Sequence, residues 1–279
     1  MPFKTILVCL NDVERVPVLL HLAADIGAKE DAHVIGLYVV PAPRVYPAMG
    51  PGMAPQVLEE FPQFVRSRSA AVKRQFETSM ETRGIAREWL LVEGRTSEFA
   101  DAVIEHSRQS DLVVVNQTSA ESDSGIEVDF TERVVMECGR PVLMVPAWGN
   151  FADCGRHILV GWKQSREAAR ATFDALSLLR RANTVHIALV ESDGSGEERE
   201  DVHETELADA LARHGANVRI ERLRTSIDVG NALLSHASDI GADLLVMGAY
   251  GHSRMREHVF GGATRTVLQS MTVPVLMSH

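Results

Sequence analysis

The sequence predicts an α/β protein of two tandem doubly wound domains, each with a five-stranded parallel sheet. Three observations lead there. Short, continuously apolar runs alternate with longer segments of helical periodicity along all 279 residues. The pattern then repeats: Lys4-Thr-Ile-Leu-Val-Cys9 returns as Arg156-His-Ile-Leu-Val-Gly161, Ser110-Asp-Leu-Val-Val-Val115 as Ala242-Asp-Leu-Leu-Val-Met247, and Arg140-Pro-Val-Leu-Met-Val145 as Val273-Pro-Val-Leu-Met-Ser278. Finally, glycines gather where one apolar run ends, at Gly248, Gly251, Gly261 and Gly262.

Taken in order, residues 5–10 are a β-branched and aliphatic run, read as a strand buried on both faces. Residues 16–29 carry Val16, Leu19, Leu20, Ala23 and Ile26 at helical spacing, with Gly27 near the end. Then come a strand at 33–40, a long helix at 56–83, a strand at 87–92, a helix at 96–107, a strand at 112–115, a helix at 130–138 and a last strand at 142–145. The second half repeats this with strands at 158–162, 185–190, 218–223, 244–247 and 275–277, and helices at 165–181, 201–214, 229–240 and 263–270. Apolar strands separated by helices imply a parallel sheet covered on both faces, and right-handed crossovers wind it doubly. The domains fall at 1–148 and 155–279, with the joint within 147–155. Two stretches interrupt the pattern. Residues 41–62, with six prolines and two glycines, read as a long loop or flap, and 191–200, rich in Gly, Ser and acid, as a solvated connection.

Composition excludes several functions. A net charge of −10 with no Lys/Arg cluster argues against a nucleic-acid surface. No apolar run approaches the length of a membrane span, and the N-terminal residues lack the pattern of a signal peptide. Cys9, Cys138 and Cys154 are scattered without metal-ligand spacing, which fits packing roles in a reducing, cytoplasmic setting. There is no Gly-x-Ser-x-Gly elbow and no His-Glu-x-x-His helix. Nucleotide hydrolysis needs a positioned base or water-holder and usually Mg²⁺, and a lone Glu257 does not supply that, so no catalytic residue is assigned. The glycine segment is the remaining signal. Glycines closing a buried strand and opening a helix direct backbone N–H groups at one anion, though the spacing Gly-x2-Gly-x9-Gly-Gly is neither the Walker nor the Rossmann pattern.

The Ile-Leu-Val strand opening each half, the Gly241–Gly248 block, the glycine spacing and the closing Val273-Pro-Val-Leu-Met together resemble the universal stress protein family in its tandem form. The resemblance implies an adenine-nucleotide α-hydrolase-like fold. Because some members bind ATP, it also implies a nucleotide site in the second half. By position, the phosphate and ribose elements become Gly248, Gly251, Gly261, Gly262 and Ala263, with Met247 just before them. The second-strand backbone that meets adenine falls near Val190, and the first strand ends at Gly161 to Lys163. Two positions depart from the family. Gly262 replaces a Ser/Thr, leaving Thr264 either to supply a hydroxyl or to cap the helix. Lys163 replaces an adenine-side Asp, and an ammonium accepts no hydrogen bond but reaches a phosphate. Arg254 either grips a phosphate or stands solvated, while His252 and His258 read as surface histidines.

The first half carries Asn116 to Ser119, and later Val128 and Asp129, at the glycine positions. A Cβ and a like charge there predict no nucleotide in the same mode. Asn11 and Asp12, ending the first strand, are expected to cap the next helix. The expectation is a cytoplasmic stress protein whose second domain senses ATP, another adenine nucleotide or a related anion, with Mg²⁺ only as the nucleotide's companion. The alternative is a ligand-free scaffold acting through an unidentified protein partner, and weak metal-dependent hydrolysis ranks third. Strands 142–145 and 275–277 are expected to pair within the chain as a pseudo-dimer, with homodimerisation left open.

Overall fold

The computed structural model describes residues 2–40, 54–93, 99–118, 126–192, 202–250 and 262–279. In the first half, strands β1 (Thr5–Cys9), β2 (His33–Val40), β3 (Arg87–Glu93), β4 (Leu112–Asn116) and β5 (Val142–Val145) alternate with helices α1 (Val16–Glu30), α2 (Ala54–Thr82), α3 (Phe99–Ser107) and α4 (Phe130–Glu137). The second half comprises β6 (His157–Trp162), α5 (Arg166–Asp174), α6 (Leu176–Leu179), β7 (Thr184–Ser192), α7 (Val202–Arg213), β8 (Val218–Thr225), α8 (Val229–Asp239), β9 (Leu244–Gly248), α9 (Gly262–Ser270) and β10 (Val275–Ser278).

All ten strands join one sheet in the order β3-β2-β1-β4-β5-β10-β9-β6-β7-β8. Each half is a five-stranded parallel sheet. The halves meet where β5 and β10 pair antiparallel, with Leu143 opposite Leu276, so the last strands do pair within the chain. The strand order reverses between β1 and β4, and again between β6 and β9, which opens a crevice at the carboxyl ends of those strands.

Alternating side chains feed two apolar layers. Ile6, Val8 and Leu10 face α1 and Phe76 of α2, while Leu7 and Cys9 face α3 and Phe130 of α4. In the second half Ile158 and Val160 share a layer with Ala171, Leu207 and Leu211, and Leu159 with Leu233 and Val267. All three cysteines are buried and free, and burial pushes the Cys9 thiol up to about 12, so the thiols serve as packing. The repeated Asp has a structural use. Asp111 accepts the Lys4 and Thr5 N–H groups (2.8 and 2.9 Å), and Asp243 those of Gly155, Arg156 and His157 (2.9 to 3.1 Å), which fixes where β1 and β6 begin.

Three elements differ from expectation. Helix α2 starts at Ala54, inside the stretch read as a loop to residue 62, and contains Pro62. Pro55 falls in the first turn, where its missing N–H is no loss. Pro62 forfeits one ladder bond, offset by the burial of Val65, Val72, Phe76 and Met80 further along. The single helix expected over 165–181 is broken at Ala175 (φ −78°, ψ 0°), where the chain tightens before Leu178 and Leu179 enter the core. Strand β7 runs through Ser192, so the connection expected from 191 starts later; residues 41–53 and 193–201 lie outside the described residues. Among the described residues no helix is long and apolar enough to cross a membrane.

Candidate functional site

The crevice of the second half is bordered by the carboxyl ends of β6, β7 and β9 and by the first turn of α9. Gly161 pairs with Ala188 on β7 and Met247 on β9, which brings the ends of three strands together. A Cβ on Gly161 would come within 2.9 Å of Leu233. On Gly248 it would lie 2.4 Å from the Ala168 nitrogen and 2.8 Å from the Glu167 oxygen. Both glycines therefore have packing reasons, Gly248 because the first turn of α5 lies directly against the end of β9. Met247 is buried beneath them. Lys163 follows β6 and is exposed. Gly251, Arg254 and Gly261, with His252, Glu257 and His258, lie outside the described residues.

Three helices start at this end of the half. Ser165 caps α5 by accepting from the Ala168 N–H (3.2 Å), and Asp228 caps α8 by accepting from Gly230 and Asn231 (2.9 and 3.2 Å). Helix α9 opens at Gly262, Ala263 and Thr264, so Thr264 lies inside the first turn and is not its cap. The Thr264 hydroxyl is buried and accepts from the Tyr250 N–H (3.2 Å). The expected cap or ligand hydroxyl is thus a tether. Tyr250 sits at φ +58°, a left-handed conformation that costs a bulky residue energy and needs such fixing. The first turn of a helix keeps N–H groups without intrahelical acceptors, which suits an anion at Gly262 and Ala263. One carboxylate opposes this: a Cβ on Gly262 would be 3.4 Å from Asp228 Oδ2. The sequence reading missed Asp228, although an Asp just before the helical run of α8 is a recognisable cap.

Comparison of the two halves is most telling on the β7 side. Cys9 sits opposite Leu37, and Gly161 opposite Ala188. Two residues further on, Asn11 and Val39 are therefore the counterparts of Lys163 and Val190. In the first half, the buried Asn11 carboxamide donates to the Val39 carbonyl (2.6 Å) and accepts the Val39 N–H (2.9 Å). Asn11 is thus not a helix cap, and Arg15, the residue before α1, makes no side-chain cap bond. Asp12 accepts from the Asn116 side chain (2.9 Å), and its carboxylate also faces the Glu14 and Arg15 N–H groups at the entry to α1. These bonds lie at the carboxyl ends of β1, β2 and β4. In the second half, β6 pairs with β7 only as far as Trp162 opposite Leu189, one residue short of Val190. Lys163 carries donors alone and cannot satisfy both backbone groups of Val190 as Asn11 satisfies those of Val39.

The other first-half positions are equally altered. Val128 is 80% exposed, and its carbonyl accepts the Thr118 hydroxyl (3.2 Å). Asp129 starts α4 without a side-chain cap bond. The Thr tether, however, is repeated: the Thr118 N–H reaches Thr131 Oγ1 (3.4 Å) as that of Tyr250 reaches Thr264. Among the described residues no group of three or more His, Cys, Asp or Glu side chains is arranged to hold a metal ion.

The universal stress protein family model matches residues 2–146 and 155–279. A universal stress protein of Archaeoglobus fulgidus DSM 4304 superposes with a TM-score of 0.75 at 15% identity, covering 99% of this chain and 96% of that one. A putative universal stress protein of Pseudomonas aeruginosa UCBPP-PA14 does so at 0.62 and 16% identity, covering 99% and 93%. Universal stress protein Slr1230 of Synechocystis is 41% identical over 58 residues; the match spans 20% of each chain.

Proposed function

Since the chain belongs to the universal stress protein family, we propose that its second half binds an adenine nucleotide or a related phosphate-bearing anion as a regulatory ligand. The observation that carries this reading is the pairing of Asn11 with Val39. A carboxamide presents one acceptor beside one donor, the arrangement along the edge of adenine that bears N1 and the amino group. The first half holds that pattern within its own chain. The second half has Lys163 at the same place, whose ammonium brings no acceptor to Val190 as the Asn11 carboxamide does to Val39. A base seated there would extend its phosphates over β9 toward Gly262 and Ala263, with the Lys163 ammonium at the mouth of the crevice. Mg²⁺ would arrive with the nucleotide and offset the Asp228 charge. One universal stress protein has been solved in complex with cAMP, so cyclic AMP belongs among the ligands to test.

A second reading, a ligand-free scaffold acting through a protein partner, draws support from Asp228, whose carboxylate stands where a phosphate would come. Calorimetry with ATP, ADP, AMP and cyclic AMP separates the two. The nucleotide reading expects saturable heat with wild type. It expects at least a tenfold loss in Lys163→Asn, which installs the self-satisfying carboxamide of the first half. No heat and no thermal shift at millimolar ligand would favour the scaffold. Undiminished binding by Lys163→Asn would remove the adenine from Val190.

A further inference from the structure

The described borders of the candidate site are held from the other half of the chain. Tyr250 donates its phenol O–H to Glu132 Oε1 on α4 (2.6 Å) while its N–H is tied to Thr264 in the first turn of α9. At the opposite end of α9, the Gln117 side-chain amide donates to the carbonyls of Leu268 (2.8 Å) and Gln269 (3.2 Å). The Gln117 Oε1 accepts from the Ala147 N–H (2.9 Å), which locks that side chain to the strand joint. Helix α9 has nine residues, a rod of about 13 Å. It is therefore clamped at both ends by first-half residues, directly at its carboxyl end and through Tyr250 at its amino end.

The two halves hold each other differently: in the other direction Arg170 of α5 donates to the Gly139 carbonyl just beyond α4 (2.6 Å). By position in the repeat, the counterpart of Gln117 is Ala249, whose methyl cannot bond a helix end, and that of Tyr250 is Thr118, whose hydroxyl stays within its own half at Val128 and Thr131. The residues that replaced the glycine motif in the first half have thus become a hold on the helix that carries Gly262 and Ala263 in the second.

We infer that the first half regulates the ligand site of the second: the Glu132–Tyr250 bond and the Gln117–α9 bonds set the position of the amino-terminal turn of α9 and, with it, the affinity for ligand. The affinity part rests on the nucleotide reading above, whereas the mechanical part does not. Coupling of this kind is reciprocal. A ligand bearing on Gly262 and Ala263 changes the exposure of α4, and loosening the seam changes affinity.

The test uses the full chain with Tyr250→Phe, which deletes one hydroxyl, and Gln117→Ala, which deletes the clamp at the far end of α9. Hydrogen exchange without nucleotide is expected to quicken in both variants at the α9 amides of residues 266–270, by about fivefold or more, while the β1 and β2 amides keep their wild-type rates. With ATP, the Kd is expected to rise about three- to tenfold in each variant. ATP should slow exchange in α4 of wild type and lose that effect in Tyr250→Phe. If wild type binds no ATP, the nucleotide reading falls, and the coupling is judged by the ligand-free exchange alone. Wild-type exchange at α9 in both variants, or acceleration spread evenly through the chain, overturns the inference. If Tyr250→Phe does not fold it is replaced by Glu132→Ala, which removes the acceptor, and if Gln117→Ala does not fold by Gln117→Glu, which cannot donate to the α9 carbonyls, with the same expectations.

Discussion

At the scale of single residues, two positions at the crevice have opposite burdens. Gly248 has no room for a methyl, because the Ala168 nitrogen would be 2.4 Å away. Gly248→Ala must push α5 off the strand end, and we expect a loss of about 1–3 kcal/mol in denaturant unfolding. An unchanged midpoint would mean that α5 yields freely. Asp228 has a carboxylate doing two things, capping α8 with one oxygen and standing beside Gly262 with the other. Asp228→Asn keeps a good cap and removes the charge. ATP affinity should then rise about three- to tenfold, on the order of 1 kcal/mol for one partly screened charge. Equal affinity would place the phosphates elsewhere. The glycine spacing was legible as special in the sequence, but the reason for Gly248 was not, since it depends on where α5 lands.

At the scale of elements, the outer edge of the second half is held by a polar strap. Glu221 on β8 accepts from His186 on β7 (2.6 Å) and from His236 on α8, joining two strands and the helix above them. Burial by itself would raise the Glu221 carboxyl. The hydrogen bonds from His186 and His236 outweigh it and hold the group below the usual carboxylate range. A carboxyl lowered on folding lends stability that is present above its ordinary value of 4.5 and lost as pH falls through the lowered one. The thermal midpoint of wild type should therefore fall more steeply between about pH 5 and pH 3 than that of Glu221→Gln. Parallel acid limbs would show that the strap adds nothing to the fold. Strands and helices were largely readable from apolar period. The break at Ala175 was not, and the loop reading carried to residue 62 overlapped a helix whose span, 56–83, was otherwise close. Local signals, an unbroken helical pattern at 165–181 and the prolines to residue 62, were overridden by burial of Leu178, Leu179, Val65 and Phe76.

At the scale of the whole molecule, one sheet and two apolar layers run through the seam, so the halves should unfold together. An isolated 155–279 fragment would expose the β10 edge that β5 covers in the intact chain. Light scattering after size exclusion should find that fragment self-associated, and a stable monomer would show the antiparallel pairing to be dispensable. The pairing was foreseeable from the repeat taken together with the family resemblance. The bonds of Asn11 and Gln117 were not, because Asn11 reaches Val39 and Gln117 reaches Leu268 across stretches that no local pattern connects. Joining the halves in one polypeptide has a hereditary consequence. If two identical chains met at this seam, a substitution such as one at Asn11 would appear on both sides of the axis and alter both strand ends in a single step. A duplicated chain carries its two copies as separate text. One copy could thus acquire Asn11 and Gln117 while the other kept Lys163 and Ala249.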